Sequence, residues 1–322
     1  MGRLLTAGLL AALACAGGAQ AQTVLKIGYG MAPTSHMAVG ATVFCQGIEQ
    51  GTQGRYTCQQ FPNAALGGER EMIEAVQLGT QDVVNASSGT LGNFVPEVKI
   101  LDIPFLFRDY DHAHHVMDGP IGQQLLKDVQ ARGLRALAWT ENGFRHITNN
   151  KHPIVQASDA RGLKIRTMEN KVHMDGYKTF GMLPTPMAWP EVFTALQQGT
   201  VDGQENPISV ILSARLAEVQ KYLSLTRHVY SPAVLILSEN VWNELSETDR
   251  QVFVQAARDA GAAQRKRVAD DEADGVAQLR EAGMQVVEQV DADSFRQALV
   301  PAYAGYAKTF GADRIAAIQA VR

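Results

Sequence analysis

The 322-residue sequence lacks long runs of like charge and, past its first segment, long apolar runs. Charges of one sign never occur five in a row, and the formal net charge is only -4. A protein that binds nucleic acid usually carries a basic patch or stripe, so this class is disfavoured. After residue 22 no stretch has 18 consecutive apolar residues, and we therefore expect no transmembrane helix there.

The signatures of several enzyme classes are also missing. The sequence has no Gly-x-Gly-x-x-Gly after a strand, no phosphate-binding loop and no His-Glu-x-x-His. The segment Ser87-Ser88-Gly89 lacks the Gly-x-Ser-x-Gly of a nucleophile elbow. Residues 109–115 contain three histidines that could bind a metal weakly, but the acidic residues among them favour a helix N-terminus. We expect no catalytic residue, no cofactor and no metal.

The first 21 residues are typical of a secretory signal peptide. Arg3 supplies a positive charge, residues 4–16 are apolar, and Ala-Gln-Ala at 19–21 is a cleavage site. Lipid attachment at Cys15 is an alternative, which we rank lower because the residues before it fit a lipoprotein consensus poorly. We therefore expect a periplasmic mature chain.

Only two cysteines, Cys45 and Cys58, follow the predicted cleavage site. An oxidising compartment permits a disulfide between them, although two separate buried thiols are the alternative. We predict the disulfide, because one residue lies on the first predicted helix and the other on the adjoining strand.

Predicted strands alternate with predicted helices, which indicates parallel β-α units and an α/β fold. The predicted strands cover 24–29, 56–61, 82–86, 134–139, 163–166, the residues after 201, 234–238 and 286–290. Helices are predicted from the residues after 36 to about 50, over 69–78, from 120 to about 133, from 246 to about 283, and as a last pair after 293.

Two segments of the chain resemble each other. Residues 71–82 and 191–202 share Glu, Ala, Gln, Gly, Thr and Asp at equivalent positions, with apolar residues between them. Each reads as a helix, a Gly that ends it and the start of a strand. The repetition predicts two domains with similar local architecture, although such joints also arise independently.

Three residues suggest a binding site for an organic anion. Arg166 ends a predicted strand, where open α/β sheets place their ligands, and a guanidinium matches a carboxylate with two parallel hydrogen bonds. Asn206 follows another strand, and Trp189 begins a helix with a flat apolar face. The alternatives are a surface ion pair, a turn residue and a core aromatic, respectively.

At this point the sequence resembles the solute receptors of tripartite ATP-independent periplasmic (TRAP) transporters, the DctP-like family. The resemblance runs over nearly all of the chain after the signal peptide. The stretches that carry it are 61–69 (FPNAALGGE), 102–107 (DIPFLF), 143–149 (GFRHITN), 161–166 (RGLKIR), and 195–207 from ALQQG to QENP.

The resemblance implies a periplasmic-binding-protein fold of two α/β domains, hinged around a cleft and joined by crossing strands and a long helix. It places domain I at 23–144 plus 232–272, and domain II at 145–231 plus 273–322. It also implies two membrane partner subunits, one small and one large, driven by an ion gradient. A non-enzymatic receptor is therefore expected, and we expect it to be a monomer.

The resemblance also implies roles for individual residues. Arg166 would anchor a carboxylate, Asn206 would support it, and Arg145 would be a second basic residue that acts directly or through water. Trp189 stands where the family commonly places Phe, which suggests a flatter or larger wall. The remaining residues predicted to bind ligand are Met168, Met187, Glu69 and Ser87.

One strong anchor favours a ligand with one dominant carboxylate, and the methionines favour a partly apolar or cyclic remainder. A monocarboxylate or cyclic amino-acid derivative is favoured, while a sugar acid or C4-dicarboxylate stays open. Two other functions also stay open: a periplasmic enzyme acting on such acids, and a receptor that feeds a sensor kinase.

Overall fold

The computed structural model describes residues 22–322, so the predicted signal peptide lies outside the described residues. The strands are β1 (Thr23–Tyr29), β2 (Tyr56–Phe61), β3 (Val83–Ser87), β4 (Leu134–Asn149), β5 (Lys164–Thr167), β6 (Leu183–Pro186), β7 (Gly203–Asn206), β8 (Tyr222–Ser238) and β9 (Gln285–Val287). The helices are α1 (His36–Gly51), α2 (Glu69–Leu78), α3 (Ser88–Leu91), α4 (Tyr110–Asp118), α5 (Pro120–Gln130), α6 (Lys171–Thr179), α7 (Trp189–Gln197), α8 (Ile208–Ser213), α9 (Glu239–Glu244), α10 (Glu247–Glu281), α11 (Ala292–Phe310) and α12 (Ala312–Ala320). The predicted α/β class is confirmed.

All the strands belong to one sheet, in the order β2-β1-β3-β8-β4-β7-β5-β6, with β9 beside β8. Strands β1, β2 and β3 are parallel to one another, as are β5, β6 and β7. The two parallel groups are joined by β4 and β8, which run antiparallel to each other through the middle of the sheet. Parallel β-α units therefore form both ends of the sheet, as the alternation of elements predicted.

The two central strands are much longer than the sequence predicted. We expected 134–139 and 234–238, whereas β4 has 16 residues and β8 has 17. Buried polar residues such as Asn142, Arg145 and His228 interrupt the apolar pattern that a prediction reads as a strand. Strand β6 was missed altogether, because its two prolines disfavour a strand; it lies at the sheet edge, where proline is tolerated.

Helix α10 is the long helix that the resemblance implies, with 35 residues. Ser246 caps its start, as predicted, by accepting a hydrogen bond from the backbone N–H of Asp249. The helix packs against α1, where glycine permits a close approach: a Cβ on Gly47 would lie 2.7 Å from the Cβ of Ala256. Helix α10 thereby covers the central strand β4 as well.

The repeated segment forms the same joint twice. Gly79 after α2 and Gly199 after α7 both have positive φ, at 77° and 70°. In the first copy the Asp82 carboxylate accepts the backbone N–H of Lys26 at 2.7 Å; in the second, Asp202 accepts that of Lys164 at 2.9 Å. In both copies the aspartate that follows the helix therefore forms a hydrogen bond with the backbone of the neighbouring parallel strand. The predicted structural repeat is confirmed.

Cys45 on α1 and Cys58 on β2 form a disulfide, which confirms that prediction. The predicted domain borders at 144/145 and 231/232 fall within β4 and β8. They lie beside shifts in strand register between Glu141 and Gly143 and between Arg145 and Ile147. The borders themselves stay predictions.

Candidate ligand-binding site

A cavity lies at the carboxyl ends of parallel strands from both ends of the sheet. Met31 follows β1, Ser87 ends β3, Met168 follows β5 and Asn206 ends β7. Ligands of open α/β sheets bind at this edge, so the location fits a binding site. The cavity volume is about 70 Å³. One water needs about 10–15 Å³ on this measure, so the space suits a small molecule.

Seven of the eight residues predicted to bind ligand line this cavity: Arg166, Asn206, Trp189, Met168, Met187, Glu69 and Ser87. Their contact with a ligand stays a prediction. The lining residues that the sequence analysis missed are Met31, Met37, Arg70, Glu71, Thr90, Asn142, Glu169, Ala188 and Val210. Thr90 could have been found by applying the strand-end rule to the strand at 82–86, whereas Asn142 lies inside β4, whose length was underestimated.

Arg166 is a buried cation that has no acidic partner among the described residues. The residue is 3% exposed, and its guanidinium donates from Nε and Nη2 to the carbonyl oxygen of Met187, at 3.0 and 2.6 Å. Among residues 22–322 it forms no ion pair, and three of its five N–H donors are left for other acceptors. Burial lowers the pKa of Arg166 to about 10, so the group stays charged at neutral pH.

Trp189 flanks this guanidinium. Its ring centroid lies 5.6 Å from the Arg166 Cζ, within the range of a cation–π contact. Trp189 begins α7 with Pro190 behind it, and proline is favoured there because its fixed φ suits the first turn. The helix start therefore holds the indole against the arginine, on the wall of the cavity.

Arg145 does not line the cavity; it lies behind Asn206. Its Nε donates to Glu205 Oε2, and its Nη2 donates to Glu205 Oε1 at 2.9 Å and to Asn206 Oδ1 at 3.0 Å. The resemblance suggested a second basic residue at the cleft, but the protein's own carboxylate already neutralises this one. Its expected contact with a ligand, direct or through water, stays a prediction.

Glu205 lies at the centre of a buried polar cluster. Its Oε2 also accepts a hydrogen bond from the Tyr177 hydroxyl at 3.0 Å, and His228 Nε2 lies 3.5 Å away. Burial alone would raise the pKa of the Glu205 carboxyl, but the Arg145 guanidinium and His228 hold it well below its usual range. The same pairing holds the pKa of Arg145 above its usual value, against the effect of burial. The cluster is thus an ion pair at neutral pH.

A second wall of the cavity carries a carboxylate. Glu69, the first residue of α2, accepts hydrogen bonds from Ser87 N–H at 3.0 Å, Ser87 Oγ at 2.9 Å and Thr90 Oγ1 at 2.7 Å. Asn142 donates to Ser87 Oγ at 3.0 Å, and its Oδ1 accepts from His36 Nε2 at 2.9 Å. Burial lowers the pKa of His36 to about 4, so this imidazole is neutral at pH 7.

Contacts between the two ends of the sheet surround the cavity. Arg70, beside Glu69, forms an ion pair with Glu169 at 3.3 Å, and Asn93 donates to the Glu169 carbonyl at 2.8 Å. Deeper in, the Asn170 side chain donates to Asp102 Oδ2 at 2.7 Å. Burial raises the pKa of Asp102 to about 7. The cavity is therefore enclosed by residues that lie far apart in the chain.

The histidine-rich segment 109–115 forms the start of helix α4, which is the interpretation that the sequence analysis favoured over a metal site. Asp109 caps α4 by accepting the backbone N–H of His112. The imidazoles do not converge: His112 is buried and contacts the carbonyl of Ile318, whereas His114 lies 2.5 Å from Glu141. In the part of the chain that the structure describes, no group of three or more His, Cys, Asp or Glu side chains could hold a metal ion.

The family of this chain follows from its similarity to known proteins. The family model for bacterial extracellular solute-binding proteins, family 7 (DctP), matches residues 27–309. The chain belongs to this family. A solute-binding protein of Verminephrobacter eiseniae is 53% identical over 293 residues, covering 91% of this chain and 88% of that one.

Solved structures of TRAP periplasmic solute-binding proteins have the same fold. One from Polaromonas sp. JS666, bound to D-erythronate, is 72% identical, with a TM-score of 0.93 and coverage of 94% and 99% of the two chains. One from Bordetella bronchispeptica, with density assigned to pantoate, is 51% identical, with a TM-score of 0.92 and coverage of 94% and 100%. The chain therefore has the two-domain fold of TRAP solute receptors, which confirms the predicted family and architecture. Over residues 22–322, no helix is both long enough and apolar enough to cross a membrane.

Proposed function

We propose that this chain is the periplasmic receptor of a TRAP-type importer and that it binds a small organic acid through Arg166. The observation that supports this most strongly is the buried Arg166 guanidinium on the cavity wall, which forms no ion pair among the described residues. A buried cation without a partner is costly, and a carboxylate that enters the cavity would remove that cost. Asn206, with one amide N–H donated to Gln204, has a second for the same carboxylate.

The ligand we favour is a small monocarboxylate that carries hydroxyl groups. D-Erythronate, bound in one neighbouring structure, and pantoate, to which density is assigned in the other, each have one carboxylate, a four-carbon backbone and at least two hydroxyls. The Arg166 guanidinium, which forms no ion pair among residues 22–322, suits one carboxylate, and Met168 and Met187 on the cavity wall suit a partly apolar remainder. Among the ligand classes that the sequence left open, we therefore rank cyclic amino-acid derivatives and C4-dicarboxylates below a hydroxylated monocarboxylate.

The partners follow from the family. A TRAP receptor delivers its ligand to a small and a large membrane subunit, and the ion gradient supplies the energy. The proposed ligand touches walls from both ends of the sheet, so it would favour a closed arrangement of two domains over an open one. Export through the N-terminal segment would place the receptor in the periplasm.

The proposal is tested by identifying the acid that co-purifies with the protein, through mass spectrometry, and titrating it by calorimetry. Arg166→Ala should lose roughly 3–5 kcal/mol of binding free energy, the usual loss on breaking a buried pair. Arg166→Lys should recover only part of that, because an ammonium lacks the planar fork of donors. Arg161→Ala, which removes an exposed arginine just before β5, is the matched control and should bind normally.

Two outcomes would contradict the proposal. If folded Arg166→Ala binds the acid within threefold of wild type, the anchor lies elsewhere. If the purified protein converts the acid into a product, the enzyme alternative gains. A gene for a sensor kinase beside this one, instead of a multi-span permease, would favour the sensing alternative.

A further inference from the structure

The cavity has two chemically unlike walls. The wall at β5 and β7 presents the Arg166 guanidinium and the Asn206 amide, both of which can donate hydrogen bonds. The wall at α2 and the end of β3 presents the Glu69 carboxylate and Ser87, together with Thr90 of α3 and Asn142 of β4. The proposed function uses only the first wall. The second wall has a distinct preference, which follows from the hydrogen bonds that it already makes.

The hydroxyl protons on the second wall are committed. Ser87 Oγ and Thr90 Oγ1 both donate to Glu69, so each hydroxyl can offer only lone pairs to a ligand. The carboxylate cannot donate. Its Oε1 already accepts two hydrogen bonds, from Ser87 N and Oγ, while its Oε2 accepts only the one from Thr90. One acceptor site therefore stays open on Oε2.

Asn142 completes this hydrogen-bonded group. Its Nδ2 gives one proton to Ser87 Oγ, and its Oδ1 is occupied by His36, so it has one N–H left. The side chains of Glu69, Ser87, Thr90 and Asn142 thus combine several acceptors with one donor, while the neighbouring Arg70 is paired with Glu169. A hydroxyl satisfies both kinds of group, because it donates one proton and accepts on its oxygen. An ammonium would donate to Glu69 but would oppose the N–H of Asn142.

A second carboxylate fits this wall poorly. It can only accept hydrogen bonds, so it would leave the lone pairs of Ser87 and Thr90 without donors. It would also bring a second negative charge against Glu69, and close like charges at a binding surface cost several kcal/mol. A ligand with a carboxylate at one end and a hydroxyl at the other would satisfy both walls.

We propose that Glu69 is the specificity-determining residue of this site: it accepts a terminal hydroxyl of the ligand and excludes acids with a carboxylate at that position. The inference rests on the proposed function, since it assumes that the first carboxylate binds Arg166. It adds the residue that discriminates, and the position on the ligand at which a hydroxyl is accepted and a carboxylate is rejected.

The sharpest test uses acids that differ only at the far carbon. D-Erythronate and meso-tartrate differ by a terminal CH₂OH against a carboxylate, and so do pantoate and 3,3-dimethylmalate. For each pair, the dissociation constants for the wild-type protein are measured by calorimetry. We expect the monocarboxylate of at least one pair to bind at least about a hundredfold more tightly than its dicarboxylate.

The variant Glu69→Gln then tests whether the negative charge of Glu69 causes the preference, because glutamine has nearly the same shape and no charge. Glutamine keeps an oxygen that can accept the Ser87 N–H, while its Nε2 becomes a donor that can meet a carboxylate. The preference for the monocarboxylate should fall at least about tenfold, mostly through tighter binding of the dicarboxylate. Glu74→Gln is the matched control, because Glu74 is exposed on the same helix and does not line the cavity. It should keep the wild-type preference.

A second variant provides a test in case Glu69→Gln does not fold. Thr90→Val keeps the side-chain shape and removes one hydrogen bond to Glu69; it should weaken monocarboxylate binding and still reject the dicarboxylate. The inference is overturned if, in every pair that binds, wild type binds the dicarboxylate at least as tightly as its monocarboxylate. It is also overturned if no member of either pair binds, or if Glu69→Gln keeps the full preference. None of these results touches the Arg166 anchor, whose failure would instead appear as normal binding by Arg166→Ala.

Discussion

Arg145 and Arg166 are both buried, yet they lie in opposite electrostatic surroundings. Arg145 faces Glu205, which binds it through both carboxylate oxygens. Arg166 faces a backbone carbonyl and an indole ring, with no carboxylate bound to it among the described residues. The pKa values differ accordingly: that of Arg145 lies above its usual value because Glu205 pairs with it, and burial lowers that of Arg166 to about 10.

The difference separates two uses of a buried charge. A charge that the protein neutralises itself contributes to the structure, because removing either partner strands the other in a low-dielectric interior. A charge that the protein leaves unpaired stores an unfavourable free energy that a ligand of opposite charge can release. The first arginine should therefore matter to folding and the second to binding.

The largest expected effect is on stability, in Arg145→Ala. This change leaves the Glu205 carboxylate buried without its cation, so the free energy of unfolding should fall by roughly 3–5 kcal/mol. Urea denaturation of the ligand-free protein measures it. The paired variant Arg166→Ala should stay within about 1 kcal/mol of wild type, because no buried partner is stranded. An equal loss in both variants would abolish the distinction between the two arginines.

A smaller effect is expected for Asn206→Ala, because Asn206 touches both regions. Its Oδ1 accepts from Arg145, and the side chain also lines the cavity. Loss of the amide should weaken acid binding by about 1–3 kcal/mol and lower the free energy of unfolding by about 1 kcal/mol. Calorimetric titration and urea denaturation of one preparation give both numbers. Unchanged binding would show that Asn206 serves only the Arg145 cluster.

The smallest effect is a slope with pH. The folded-state pKa of Glu205 lies below its unfolded value, near 4.3, so its stabilisation is complete above that value and is lost as the pH falls through the folded pKa. Below pH 4, wild type should lose up to about 1.4 kcal/mol per pH unit more than Glu205→Gln. Arg166→Ala should keep the wild-type slope, since Glu205 keeps its partner. Denaturation curves at successive pH values check this, and parallel slopes in wild type and Glu205→Gln would contradict it.

Local signals predicted much of the fold correctly. The strand at 56–61, the helix at 69–78 with its glycine end, and the Ser246 cap all agree with the structure. Each depends on residues close together in the chain. The two central strands were underestimated because their middle parts carry buried polar residues, which are stable there only through partners on other strands.

In the candidate site, too, some features could be predicted from nearby residues, whereas others depend on distant partners. The position of Arg166 at a strand's carboxyl end was readable from the sequence, and Asn206, Trp189 and Glu69 also line the cavity. The pairing of Arg145 with a carboxylate could not be predicted from the sequence. It lies four residues before Asn149, the end of β4, and its partner Glu205 is 60 residues away on β7. No local pattern connects the two residues.

The sequence by itself determined the family, the α/β class, the repeated helix–glycine–strand joint and the strand ends near which Arg166 and Asn206 lie. These features depend on neighbours in the chain. Only the tertiary structure decided which buried arginine has a carboxylate partner, and it brought Glu69, Ser87, Thr90 and Asn142 together on one wall. The physical reason is that a charge's partner is set by the pairing of distant strands. In this protein that pairing gives Arg145 to Glu205, whereas Arg166 forms no ion pair among residues 22–322.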